Sequence, residues 1–352
     1  MGLPKIEIEF KAKATTAISR SKNGIVAVIL RDSTKTGDEF TSYSYNDETE
    51  IVKAHLTTKN LDILNKAFLG APKRVLVERI GDGDTYDDAL ARLKNKKWNW
   101  LAIPSLTEDE VEDVANWIIA QRAAKKTFKA VLPNYEADNE GIVNFATDGI
   151  IAGTKSYTTA EYCVRIAGLL AGMSLTDSAT YKVLSEVSGI TESTTPDDDI
   201  DNGKFILVND GENIKVGRAV TSLTTVSDSK TEDMKKIKIV EGMDLIRDDI
   251  KTSFENNYIG ENNSYDNKML FVAAVNQYFN ELVNQGVLYD EGENSADIDI
   301  EAQKAWLSEK YDISEWSDAQ IRQAKTGSQM FMMANVAFAD AVEDLKFGIS
   351  ME

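Results

Sequence analysis

The sequence predicts a mixed fold: α/β over about residues 25–230, α+β overall once a helical distal part is added, with an amphipathic strand at each end. Three observations carry this. Between Val75 and Pro133, strand-like and helix-like segments alternate, the pattern of a parallel or mixed sheet covered by helices. Beyond a polar linker at 227–232, apolar residues recur at helical spacing instead. Each end of the chain carries a strand-like alternation of period two.

The N-terminal segment 5–14 reads KIEIEFKAKA, with Ile6, Ile8, Phe10, Ala12 and Ala14 on one face and charged residues on the other. A polar connector then ends in the turn pair Asn23-Gly24. Residues 25–30 are continuously apolar and read as a buried strand. The polar stretch 33–49, with Tyr43 and Tyr45 alternating, reads as an edge hairpin. Thr57 or Asn60 opens a helix through Phe68, stopped by Gly70 and Pro72. Strands at 75–80, 98–103 and 128–132 then alternate with helices at 86–95 and 107–124. A strand pair, 142–145 with 149–152, precedes a broadly apolar helix at 158–173, in which Gly168 and Gly172 permit close approach of a second backbone. An acidic loop at 191–202 leads to a hairpin at 204–223 around Asn209-Asp210-Gly211-Glu212. In the distal part, Ile239, Met243, Ile246, Ile250 and Phe254 mark one helix face, and Val272, Val275, Phe279 and Leu282 another. Ser317 with Gln320 forms a capping box for a helix ending near Gly327. The segment 329–339 is apolar on both faces, as expected of a strand buried on both sides. Leu345, Phe347, Ile349 and Met351 then alternate with Lys346, Gly348 and Ser350 as a half-buried strand.

A chain that ends in an amphipathic strand must pair it with something. Self-pairing within the molecule's own sheet is the simpler reading, because an exposed apolar edge is a hazard. The other reading is strand addition to a neighbouring subunit.

Composition narrows the function classes. The chain has 352 residues, enough for two ordinary domains, and 42% hydrophobic residues mark it as folded rather than disordered. A formal charge of -19 argues against nucleic acid or an anionic membrane as partner, since nothing would neutralise phosphates. One cysteine, Cys163, excludes an intramolecular disulfide framework. Without a charged-then-apolar N-terminal signal, and without an apolar run of membrane-spanning length, the expectation is synthesis in a cytoplasm with no export address and no membrane anchor.

Candidate chemistry is sparse. His55 stands in a polar segment with no second histidine to share catalysis. Cys163 lies on an apolar helix face and reads as a packed thiol. Asp197, Asp199 and Asp201 have alternate spacing, but a calcium loop would need Gly where Asn202 stands and Glu where Val208 stands. Asp82, Asp84, Asp87 and Asp88 occupy a strand-to-helix loop whose Gly81 and Gly83 match no phosphate-binding fingerprint. No catalytic, cofactor or metal residue is therefore expected.

Four passages together resemble the tail sheath proteins of contractile phage tails. They are GLPKIEIEFKAKATTAISRSKNGIVAVILRD (2–32), EYCVRIAGLLAGMSLTDSATY (161–181), GKFILVNDGENIKVGRAVTSLTT (203–225) and QIRQAKTGSQMFMMANVAFADAVEDLKFGISM (320–351). The likeness is greatest to the compact sheaths of Gram-positive myophages, defective prophages and R-type phage-tail-like bacteriocins. The resemblance implies an N-terminal arm and linker at 1–24, an outer α/β, sandwich-like domain at 25–230, an inner, tube-facing domain at 231–340 and a C-terminal arm at 341–352. It implies stacked hexameric rings that contract around an inner tail tube. Neighbouring subunits would be linked by arm strands, Ile6, Ile8, Phe10 and Ala12 on one arm and Leu345, Phe347, Ile349 and Met351 on the other. The resemblance thus reverses the preference for self-pairing. The implied partners are further copies of the chain, the tube protein, and baseplate and tail terminator proteins. The implied location is the host bacterial cytoplasm during assembly, then a virion tail or a released phage-tail-like particle. Against an acidic background, Lys304, Lys310, Arg322 and Lys325 are the tube-facing candidates. Two other classes stay open: an α/β enzyme using acidic loops for a divalent metal, and a soluble adaptor that binds one partner by strand addition.

Overall fold

The computed structural model describes residues 24–34 and 42–351, which fall into two compact units. One comprises residues 24–241 with 341–351; the other is Gly242–Asp340, the division falling inside the helix Ile237–Asn257.

The larger unit is built on a seven-stranded sheet ordered β10-β6-β5-β4-β1-β3-β2. β1 (Ile25–Arg31) lies at its centre, parallel to β3 (Arg74–Ile80) on one side and to β4 (Trp100–Ala102) on the other. Its IVAVIL run is apolar on both faces because both faces are covered. β5 (Lys129–Pro133), β6 (Ile142–Phe145) and the two-residue β10 (Lys204–Phe205) continue the parallel order outward. Helices α1 (Thr58–Phe68) and α4 (Thr159–Gly172) share one apolar core with Val26, Val28 and Leu30. Helices α2 (Asp87–Leu93) and α3 (Glu108–Ala123) share another with Ala27 and Ile29. Thr57 caps α1, and Thr158 with Glu161 forms a reciprocal capping box on α4. In α4, Tyr162, Ile166, Leu169 and Leu170 are buried, each contributing about 1.5–3 kcal/mol. The predicted close approach is present. A Cβ at Gly168 would overlap the backbone of Ala67, and one at Gly172 the backbone of Gly70, so these helices pack backbone to backbone.

Several sequence expectations are corrected here. The segments 142–145 and 149–152 are not a pair: β6 belongs to the large sheet, whereas β7 (Asp148–Ala152) joins β8 (Lys155–Tyr157) and β9 (Val187–Thr191) in a separate sheet. Adjacent short apolar runs cannot reveal which sheet each joins. Of the 33–49 stretch read as an edge hairpin, β2 (Ser42–Tyr45) is the edge strand of the large sheet, antiparallel to β3, and 35–41 lie outside the described residues. The acidic loop contains a short helix, α5 (Pro196–Asp201), favoured by Pro at its start and Asp in its first turn. The 204–223 hairpin is narrower than expected, β11 (Leu207–Asn209) against β12 (Ile214–Val216), because residues 204–205 pair with β6.

The smaller unit holds part of α6 (Ile237–Asn257), then α7 (Tyr265–Asn284), β13 (Ser295–Ile298), α8 (Ile300–Ser308), α9 (Asp318–Gln323) and β14 (Met332–Asn335). Phe271 packs edge-on against Phe254 and Tyr258, and Phe279, Leu282 and Ile298 are buried. The Ser317–Gln320 capping box is present, but α9 stops at Gln323, short of Gly327. Gln303 and Lys268 consume the carbonyls exposed there: Gln303 donates to Ile321 and Arg322, and Lys268 Nζ to Ala324 at 3.2 Å. The segment 329–339 does not form a strand buried on both sides. Among the described residues its sheet has two strands, and β14 is half-buried to exposed. Nor do residues 345–351 form a strand. An extended segment becomes a strand only through a ladder partner, and in the single chain it has none among the described residues.

Candidate intersubunit surface

The open features of the molecule gather at the end of the chain. Phe331 O accepts from Asp299 N at 3.0 Å, Ala337 O accepts from Tyr289 N at 2.8 Å, and Ala339 N donates to Val287 O at 2.9 Å. The odd-numbered residues of 331–339 thus turn their backbone groups inward, toward β13 and residues 287–289. In an antiparallel ladder, alternate residues face opposite sides. Met332, Ala334, Val336 and Phe338 therefore turn their N–H and C=O groups to the other edge, where no described residue bonds them. Buried backbone groups are normally paired, so this edge is stable only while water, or another strand, satisfies it.

The opposite edge of the same sheet is closed. Ala296, directly across from Ala334, receives both bonds of a side-chain amide: its N–H donates to Asn276 Oδ1 at 2.6 Å and its C=O accepts from Asn276 Nδ2 at 3.1 Å. Ile298 N–H is taken by Asp297 Oδ1 at 2.8 Å. Asn294 acts on the inner side instead, bridging the two segments by accepting from Ala337 N at 2.8 Å and donating to Tyr289 O at 2.7 Å.

Beyond Asp340 the chain runs along the larger unit. Glu343 accepts from Ser178 Oγ at 2.9 Å and Thr180 Oγ1 at 2.5 Å and faces Arg218 Nε at 3.7 Å; Asp344 accepts from Arg218 Nη2 at 2.6 Å. Past this clasp the apolar side chains are open. Leu345, Phe347, Ile349 and Met351 are 85%, 76%, 77% and 94% exposed, which no folded monomer gains from. The N-arm candidates Ile6, Ile8, Phe10 and Ala12 lie outside the described residues.

The cationic candidates separate. Arg322 makes a bidentate pair with Asp297, whose carboxyl that hydrogen bond holds below its ordinary range. Lys310 Nζ stands 3.3 Å over the Trp306 ring. Lys304 and Lys325 are exposed.

The residues weighed for chemistry fall elsewhere. His55 packs against the Tyr43 ring. Cys163 is fully buried in α4, and burial pushes its thiol well up. Asp84 folds back on its own loop, accepting from Gly81 N at 2.7 Å, and Asp199 accepts from Ser193 and Lys204. Among the described residues no group of three His, Cys, Asp or Glu converges on a point, and no helix is long and apolar enough to cross a membrane. Sequence reasoning missed Asn276, Asn294 and the Arg218 clasp. Asn276 had a signal: a poor helix former set beside the apolar positions Val272, Val275 and Phe279.

Comparison with known proteins gives the class. The model of the phage tail sheath protein central domain matches residues 82–222, and that of the phage tail sheath C-terminal domain matches 229–352. The chain belongs to the phage tail sheath proteins, as its sequence motifs suggested, and its role is structural. Its relatives are particular sheaths. The tail sheath protein of Clostridium phage phiCD119 is 36% identical over 363 residues, spanning 99% of both chains. The fold matches the anti-feeding prophage helical sheath in its contracted state with a TM-score of 0.71 at 15% identity, over 100% of both chains. The sheath tail protein from Desulfitobacterium hafniense matches with a TM-score of 0.70 at 16% identity, over 85% of this chain and 94% of that one.

Proposed function

We propose that this chain is the repeating subunit of a contractile tail sheath, stacked as hexameric rings around an inner tail tube, and that its copies are joined by strands donated from their terminal arms. The observation that carries the reading is a complementary pair of unfinished parts. The segment 345–351 presents an exposed alternating apolar face, and 332–338 present a strand edge that no described residue pairs. Adding one to the other satisfies backbone groups and buries apolar area together. The sheath solved for the anti-feeding prophage is helical, which supports self-assembly as the use of these parts.

In this reading residues 25–230 form the outer domain, 231–340 the inner domain, and 1–24 and 341–352 the arms. Ladder bonds in the arms hold copies together while rigid bodies repack between two discrete arrangements, and contraction drives the tube through a cell envelope. Lys304 and Lys325 are the better tube contacts, since Arg322 is committed to Asp297 and Lys310 to Trp306. Baseplate and terminator proteins bind the ends of the stack, and assembly takes place in the host cytoplasm.

Negative-stain electron microscopy of the purified chain at rising concentration tests the proposal. Striated hollow tubes are expected from the full chain, and only soluble monomer from a variant lacking residues 2–13. Normal tubes from that variant would remove the N-terminal arm from the account.

A further inference from the structure

Resting on the strand-addition reading above, we infer that Asn276 is an edge plug: it closes the β13 side of the small sheet, so that a second copy's 345–351 segment can add only along 332–338. The two edges would otherwise be alike. Each belongs to the same two-stranded sheet, and each presents outward-facing backbone groups at alternate positions. On the β13 edge the outward groups are those of Ala296 and Ile298. The Asn276 amide supplies one donor and one acceptor to Ala296, the same two bonds that a neighbouring strand would supply. Asp297 takes the Ile298 N–H. A strand arriving there must first displace these bonds, whereas one arriving at Met332, Ala334, Val336 and Phe338 displaces no bond from a described residue.

The polarity of the sheet suits the occupant. Ala296 and Ile298 are buried, and their cross-strand partners Ala334 and Met332 lie on the same face. Ser295, Asn335 and Met333 lie exposed on the other face. A strand added beside β14 with Leu345, Phe347, Ile349 and Met351 opposite the even-numbered residues extends the apolar face, and it places Lys346, Gly348 and Ser350 on the polar one. The plug thus gives a sheet with two edges a single direction of growth. That matters for a polymer, because a copy that accepted the same arm on either edge would have two incompatible ways to join its neighbour.

Cysteine cross-linking in assemblies of the full chain tests this, and buried Cys163 contributes little background. Lys346→Cys, Gly348→Cys and Ser350→Cys are each carried by one copy and mixed with copies carrying either Asn335→Cys or Ser295→Cys. Asn335 and Ser295 face each other across the ladder, so each sits at a non-hydrogen-bonded position relative to a strand added on its own outer side, the closer geometry for a disulfide. With Asn276 intact, intermolecular disulfides are expected at Asn335→Cys for at least one scanned position and at none for Ser295→Cys. With Asn276→Ala, Ser295→Cys disulfides are expected to appear. Asn276→Asp, which keeps the acceptor for Ala296 N–H, gives the same comparison if the Ala variant does not fold, with a smaller gain. Ser295→Cys disulfides in the Asn276 protein would overturn the plug and leave strand addition standing. So would their absence from both Asn276 variants while Asn335→Cys disulfides persist. Disulfides at neither edge would defeat strand addition of this arm, and the plug with it.

Discussion

The large sheet and the small one treat their edges in opposite ways. In the larger unit, β1 is paired on both sides, both faces are covered by helices, and the sheet ends in the short strands β2 and β10. Short edge strands are a common defence against unwanted pairing. In the smaller unit, one edge is plugged by Asn276, while the other leaves Met332, Ala334, Val336 and Phe338 without a partner among the described residues. One sheet is closed by short strands; the other keeps an edge that no described residue pairs. The difference is what the proposed strand addition rests on: an edge left open in the small sheet and a core closed in the large one.

Truncating the chain after Asp344 should break the comparison most severely. Polymerisation is expected to be lost in sedimentation and microscopy, while the monomer's unfolding free energy in denaturant stays unchanged within about 0.5 kcal/mol, because the removed side chains are exposed. A large loss of monomer stability would mean that the arm is part of the chain's own core. Gly168→Val probes the finished side instead. With the Ala67 backbone in the way, about 2–3 kcal/mol of stability should be lost in denaturant unfolding, whether or not tubes form.

Asp32 gives a pH test of the same core. Its buried carboxylate accepts from Thr34 N and Thr57 N, each at 2.8 Å, and from Asn60 Nδ2 at 2.7 Å. Burial alone would raise its pKa, but bonds from Thr34, Thr57 and Asn60 outweigh it and hold the group below its ordinary value. The folded pKa is the depressed one, so this stabilisation is fully present above the unfolded value of about 3.9 and is lost as pH falls through the folded one. Asp32→Asn should cost about 2 kcal/mol at neutral pH, and the gap to wild type should narrow below about pH 4. A gap unchanged by pH would assign the loss to packing. The smallest effect belongs to Arg218→Ala. The clasp is a third exposed on the arginine side, so monomer stability should fall by about 0.5 kcal/mol or less. Tube formation should shift to higher protein concentration because the root of the arm is less well ordered.

Element positions in the larger unit were largely legible from sequence, because periodicity and Gly or Pro stops mark them. Pairings were less so. β6 and β7 look alike in sequence, and nothing local distinguishes the sheet each joins. The candidate surface was half legible. The alternation at 345–351 marked a segment whose apolar side chains are exposed, and the composition of 329–339 asked for more burial than the described residues supply. That request is itself informative, since side-chain pattern reports the burial a strand needs, whichever chain provides it. What sequence could not reveal was the inequality of the two edges, which depends on Asn276 meeting Ala296 across 20 positions of chain.

The most direct measurement is amide hydrogen exchange at Met332, Ala334, Val336 and Phe338, compared between monomer and assembled tube. The account predicts fast exchange at all of them in the monomer and strong protection in the tube, with Ala296 protected in both. Equal exchange at the outward amides in monomer and tube would contradict it, because subunits would then be joined without ever using the open edge.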